Sequence, residues 1–334
     1  MKKIFTLLIA CSLIFISCKR NKFDIDVSDV KVDLQVNRFD KELFSINKDS
    51  VYYYIPKLEK KYGNFFQLFN YKVINIGGTN NRNYSDYLTG FLTDFTIMQI
   101  YKETEKTYSD FDDVEDELTE AFKHYKYYFP QKNVPKIYTY ISGFNQSIVT
   151  DEYILGIGLD KYLGKNCDFY ERLQLPVYLR YKMDKKYIVS DCMQAWAITE
   201  FPNNDSVENL LSRIIYRGKI QYFIDAMLPN TPDSIKIAFK ASQLNWCEEN
   251  EERMWTFLIE NNLLFSSDYM EIKRYTDPGP FTSGFSRESP SRTGIWLGWQ
   301  IVKSYMDNNT SVSLKDLMLN NDGQKILNQS KYKP

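Results

Sequence analysis

The sequence predicts an α+β fold, mostly α-helical with a small central β-sheet. Three features predict it. Apolar residues recur at helical spacing through most of the 334-residue chain. One central region, 136–159, instead alternates apolar and polar residues in short runs. Beyond the first sixteen residues no apolar run reaches the roughly 20 residues that a bilayer span needs. No repeat, low-complexity segment or linker marks an internal boundary. The chain therefore divides into residues 1–17 as a signal peptide, 18–35 as a tether and first strand, and 36–334 as a single α-rich globular domain.

The chain start reads as an export signal. Lys2 and Lys3 precede the apolar run Ile4 to Ile16, which ends at Ser17-Cys18 and turns polar with Lys19, Arg20, Asn21 and Lys22. Phe15-Ile16-Ser17-Cys18 resembles the lipobox cleaved by lipoprotein signal peptidase. Leu8-Ile9-Ala10-Cys11 fits that consensus better but leaves too little apolar core before it. Cys18 is thus the expected lipidation site, with the mature protein held to an envelope membrane by several acyl chains. Acidic residues after the lipidated Cys would favour export to the cell surface. Here the residues are basic, and basic residues beside an anchor favour contact with anionic headgroups. The body is expected to face the periplasm.

The next elements follow from periodicity. Phe23 to Val27 and Val30 to Leu34 alternate apolar and acidic residues, as a strand would. Helical spacing runs over 38–46 and 50–62, with Gly63 as a C-terminal cap. Residues 75–81 form a turn, and 85–101 are helical. Two adjacent glycines at 77–78 lack the following Gly-Lys-Ser/Thr of a phosphate loop. Acids from Asp110 to Glu117 open a helix that ends at Pro130, where they complement the helix dipole. They do not match a calcium loop, since the sixth and twelfth positions from Asp110 are Glu115 and Ala121. Strands are expected over 136–141, 146–149 and 153–159. Helices are expected over 171–181, 185–200, 206–228 and 232–262, punctuated by Pro202 and Pro229.

Composition narrows the chemistry. Net charge is −1, so no basic surface of the kind nucleic acid requires is present, and no nucleic-acid partner is expected. His124 is the single histidine, which excludes an HExxH helix or any multi-His metal site. Amid aromatic residues, it reads as a packing or surface residue. Cys167, Cys192 and Cys247 are too far apart for zinc spacing and are expected in the core, although one disulfide could form among them. No cofactor and no metal are expected.

Residues 245–306 carry the most unusual sequence. Gly218 sits mid-helix, which costs about 1 kcal/mol against Ala, so close packing is expected there. Gly294 and Gly298 lie four apart and would let another backbone approach. Trp296 and Trp299 cannot share one helical face with them, so one is expected buried and one exposed. Glu248 and Glu252 share a face by i, i+4 spacing, as do Glu249 and Arg253. Such pairs more often form a solvated face than an acid–base site. Arg287, Glu288 and Arg292 flank a proline and could close an ion-pair network or line a groove. The candidate binding groove therefore comprises Lys219, Tyr222, Glu248, Glu252, Arg287, Glu288, Arg292, Trp296 and Trp299, with no catalytic residue assigned.

The stretches 245–255, 278–285 and 287–302, the chain end Ser330-Lys331-Tyr332-Lys333-Pro334 and the lipoprotein start together resemble the gliding-motility lipoprotein family called GldB, over essentially the full chain. That family is known from gliding Bacteroidetes and their non-gliding relatives. The resemblance implies an envelope lipoprotein required for gliding, with other proteins of the type IX secretion and motility machinery as partners besides the membrane. A more distant resemblance, in the order of elements, is to predicted zinc proteases of the HExxH type. Gly218-Lys219-Ile220-Gln221-Tyr222 would replace that motif, leaving a degenerate zincin-like scaffold without its metal. The expected function is binding, not catalysis; the alternative is a carboxylate-dependent hydrolase of peptides or peptidoglycan in the periplasm.

Overall fold

The computed structural model describes residues 21–203 and 208–334. Cys18, Lys19 and Arg20 lie outside them. Residues 23–34 do not form the expected strand. Phe23, Val27 and Leu34 are buried, but turn hydrogen bonds such as Val30 N–H to the Val27 carbonyl interrupt the run. Phe23 packs edge-on against Tyr222, so this segment lies on helices, where side chains bury but no strand offers backbone partners. Only β1 (Val36–Asn37) joins the sheet.

α1 (Phe39–Ser45) and α2 (Val51–Leu68) follow. Gly63 kinks α2 at φ +48°, a conformation glycine adopts without the strain of a side chain. The single helix expected over 85–101 is two, α3 (Tyr84–Thr93) and α4 (Phe95–Thr107). The Asp94 carboxylate divides them by accepting the Ile97 N–H at 2.9 Å as an N-cap. α5 (Asp112–Tyr128) starts on its acids.

β2 (Lys136–Tyr140), β3 (Ile148–Asp151) and β4 (Ile154–Gly158) then form a sheet ordered β1-β2-β4-β3. β1 and β4 are parallel to β2, and β3 is antiparallel to β4. The period of two sends Ile137, Leu155 and Ile157 to one core and Tyr138, Tyr140 and Ile154 to another. The second core is aromatic, with Phe65 stacked on Tyr138 at 4.1 Å between centroids.

α6 (Asp168–Arg172) and α7 (Val177–Arg180) replace the one helix expected over 171–181, because Pro176 forces a restart. α8 (Ile188–Glu200) and α9 (Leu210–Met227) follow expectation. The long helix expected over 232–262 is three: α10 (Asp233–Lys236), α11 (Ala241–Glu249) and α12 (Glu251–Glu260). Ala238 at φ +54° ends the first turn of chain, and Asn250 caps α11. α13 (Tyr269–Thr276), α14 (Thr293–Asn308), α15 (Leu314–Leu319) and α16 (Gly323–Ser330) complete the domain. No helix of the described residues is long and apolar enough to cross a membrane.

The centre of the larger core is the crossing of α9 and α14. A Cβ on Gly218 would overlap the Gly298 carbonyl, and a Cβ on Gly298 would overlap the Ile214 carbonyl. A Cβ on Gly294 would come within 2.9 Å of the Tyr275 carbonyl oxygen. Backbone thus touches backbone, as the glycine spacing predicted. With α14 buried on nearly every side, Trp296 and Trp299 are both buried, not one in and one out. Trp299 Nε1 donates to the buried Asp225 carboxylate at 2.7 Å, and Lys236 Nζ donates to the other oxygen at 3.0 Å. Burial raises the Asp225 pKa, with Lys236 opposing the shift.

Gly298→Ala is expected to lower unfolding free energy by about 3 kcal/mol or more, because two backbones would have to part. Gly90→Ala is the control. Gly90 is exposed in α3 with open space at its Cβ, so it should gain about 0.5–1 kcal/mol. Urea unfolding of both variants checks this; equal midpoints would remove the crossing from its central role.

Candidate functional site

The nine groove residues do not converge. Lys219 and Tyr222 are buried in α9, as Trp296 and Trp299 are in α14. Lys219 Nζ donates to the carbonyls of Met318 and Asn320 at 3.2 and 2.7 Å, at the negative end of α15, so its charge serves the fold. Glu248 and Glu252 are exposed on α11 and α12, separated by the break at Asn250. Arg253 donates to Asn250 at 3.3 Å. Arg287 and Glu288 are exposed in the loop before α14. His124 is buried, its Nδ1 donating to the Glu120 carbonyl at 3.0 Å. All three downstream cysteines are free thiols; Cys192 and Cys247 are core residues and Cys167 is half-buried. Among the described residues no cluster of His, Cys, Asp or Glu could hold a metal ion.

Two depressions receive groove residues. Glu252 lines one of about 670 Å³ with Trp246, Phe257 and Phe285. Its charged residues, Glu252, Arg253 and Glu260, are of both signs. Arg292 lines a second, of about 510 Å³, together with Lys165, Lys240, Tyr178, Tyr181 and Phe239. That lining includes three cations and no carboxylate.

The loop before α14 delivers Arg292. Thr282 ties the loop across its base: its N–H and its hydroxyl both donate to the Pro290 carbonyl, at 2.9 and 2.8 Å. Its hydroxyl also accepts the Thr293 N–H at 3.3 Å. Thr282, Ser289 and Thr293 are buried, so the turn is fixed by hydrogen bonds inside the protein. Arg292 then takes the left-handed conformation, φ +63°, as the cap of α14. Ala238 opposite is left-handed too. The two strained residues meet: Arg292 Nη2 donates to the carbonyls of Ile237 at 2.9 Å and Ala238 at 3.3 Å. The guanidinium lies over the Phe239 ring, 5.1 Å from its centroid. Among the described residues its Nε and Nη1 have no partner and no carboxylate pairs with it. Burial and the nearby Arg217 push its pKa down to about 10, with Asp191 opposing, so it remains charged at neutral pH.

Sequence reasoning found Arg292 and the loop glycine–proline pairs. It missed Lys165, Tyr178, Tyr181, Phe239 and Lys240. They come from the α6–α7 region and the α10–α11 connection, and no motif links those segments in sequence. The one local signal was a kink that the helix expected over 232–262 smoothed over, at Ala238.

No curated protein and no solved structure matches the chain. The resemblance to HExxH proteases therefore finds no support, and the segment that would carry the motif is packed against α14. A family model, described as gliding motility protein GldB, matches residues 20–334. The chain belongs to the GldB gliding-motility family.

Proposed function

We propose that this protein is a lipid-anchored component of the cell envelope that serves gliding, associates with proteins of the type IX secretion and motility machinery, and works by binding. Membership of the family supports the gliding role. The observation that carries the binding reading is the Arg292 cleft, whose lining offers cations and aromatic rings but no carboxylate to move a proton. The carboxylates of the hydrolase alternative, Glu248 and Glu252, stand exposed on separate helices. Purified protein incubated with peptidoglycan sacculi is expected to release no soluble fragments; steady release abolished by Glu252→Gln would replace binding with hydrolysis.

The anchoring reading draws on the first described residues. Asn21 Nδ2 donates to the Pro229 carbonyl at 2.7 Å, and Lys22 pairs with Asp307 at 2.6 Å. Phe23 is buried on Tyr222. Asn21 stands three positions after Cys18, with two residues between them, a reach of about 11 Å at most. A lipid on Cys18 would therefore hold the face around Pro229 and Asp307 directly against the membrane. Lys19 and Arg20 add attraction of about 1 kcal/mol each near an anionic surface, while the Lys22 charge is matched by Asp307.

Cys18→Ala is expected to abolish labelling by a clickable fatty acid and to move the protein from the membrane to the soluble fraction. Equal labelling of the variant would rule out Cys18 as the site. The body is expected to face the periplasm. Protease applied to intact cells should leave it whole, and digestion without outer-membrane rupture would place it on the surface instead.

A further inference from the structure

The Arg292 cleft differs from the other buried charges of this protein. Lys219 is satisfied by the carbonyls at the end of α15, and Lys236 by Asp225 and Asp233. Among the described residues Arg292 has two backbone carbonyls as partners, both on one nitrogen, and a second arginine near it. Lys165 and Lys240 are exposed at the same cleft. The N-terminus of α14 adds the positive end of a sixteen-residue helix. A fixed, half-desolvated guanidinium with free donors, held by two left-handed residues, is arranged for an oxyanion.

The walls say more about what bears that oxyanion. Tyr178, Tyr181 and Pro280 present apolar surfaces at the cleft, while the Phe239 ring is buried beneath the Arg292 guanidinium and backs it. Tyr178 is 39 % exposed and Val177 is 69 % exposed, large areas for unpartnered apolar side chains. The volume, about 510 Å³, suits a ligand of one to three rings. No strand contributes to the lining, so there is no backbone edge on which an extended peptide could add itself. A sugar ring presents an apolar face to aromatic and proline surfaces and an acidic group at its rim.

From this juxtaposition we infer that the cleft formed by Arg292, Lys165, Lys240, Tyr178 and Tyr181 binds an acidic saccharide, with the guanidinium gripping its oxyanion and the exposed Tyr178 ring stacking on the sugar. The inference rests on the binding reading and names its ligand class. Pectin-like trigalacturonate, its methyl ester and inorganic phosphate are suitable probes for calorimetry with the full lipidated chain in nonionic detergent. Trigalacturonate should bind saturably at one per chain and weaken as salt rises. The ester, which lacks the charge, should bind about tenfold more weakly or worse. Lys165→Gln with Lys240→Gln should cost about tenfold in affinity without changing the thermal midpoint, since both side chains are exposed. Arg292→Gln should abolish binding; because Arg292 also holds two carbonyls, the lysine double variant carries the test should that chain misfold. Equal binding of the ester, unchanged affinity in the double variant, or tighter binding of phosphate than of uronide would each overturn the assignment. So would failure of all three probes to bind a chain that restores gliding to cells lacking it, an outcome that leaves the binding reading standing. That reading falls instead on the sacculus experiment.

Discussion

Two helices touching backbone to backbone set the geometry of everything around them. α9 and α14 cross where Gly218 meets Gly298 and where Ile214 lies beneath Gly294 and Gly298. Contact at that range permits no side chain between the helices, so their relative position is fixed by hard-sphere overlap. Residue 214 lies by 294 and 218 by 298, so the helices run in the same direction. α16 packs on both α9 and α14, α8 packs on α9, and α5 closes over α8 and α9. The sheet then separates this helical core from the aromatic core of α1 to α4. The cores share a strand pair, β2 and β4, buried on both faces.

A polar group buried so near a close crossing is costly without a partner. Asp225 shows how the fold meets that need. Its two oxygens take Trp299 and Lys236, and Lys303 approaches from outside, 3.6 Å from the centroid of the Trp299 ring and 3.6 Å from Asp233. The indole that fills the space beside Gly298 is thereby held in one orientation. Removing Lys236 would leave the Asp225 carboxylate buried with Trp299 as its one direct donor among the described residues, the costly case for buried ion pairs, whereas Lys236 would still have Asp233 if Asp225 were removed. Arg292 is built differently, with its backbone strained and part of its donor capacity unspent. Strain of that kind persists only where the surroundings over-determine it, here through the Thr282 clamp.

What could be read from the sequence depended on the range of the cause. Period and local chemistry are short-range. They placed α5 from its acids, α9 from its apolar run, β2 to β4 from alternation, and the close crossing from Gly218, Gly294 and Gly298. Helix ends were legible at Pro130, Pro202 and Pro229; the break at Pro176 and those made by caps at Asp94 and Asn250 were not, and Gly63 kinks α2 where it was expected to end it. The alternation in 23–34 was real burial but not a strand, because a period of two records which side chains are covered, not what covers them. The groove failed for the same reason. Lys219, Trp296 and Trp299 were conspicuous because they are polar or aromatic in unusual places, and the oddness came from packing. Arg292 was conspicuous for the cleft it lines, and its companions come from two segments, one about 50 and the other more than 110 residues earlier.

The same crossing relates the two ends of the molecule that face outward. The chain start is pinned by Lys22 to Asp307, at the C-terminal end of α14, and by Asn21 to Pro229, just past the end of α9. The cleft residue Arg292 caps the opposite end of α14. Fifteen residues of helix separate Arg292 from Asp307, about 22 Å at 1.5 Å per residue. With the lipid on Cys18, the membrane contact and the cleft therefore lie at opposite ends of one rigid element. A pull on a ligand in the cleft would pass along α14 to the membrane without crossing a flexible joint, since the glycine contacts lock α14 to α9 and the Asn21–Phe23 segment is packed on both. A tether with slack would dissipate such a pull; a chain that enters the body within three residues of its expected anchor transmits it. On the proposed reading of anchor and ligand, that rigidity follows from where the glycines sit.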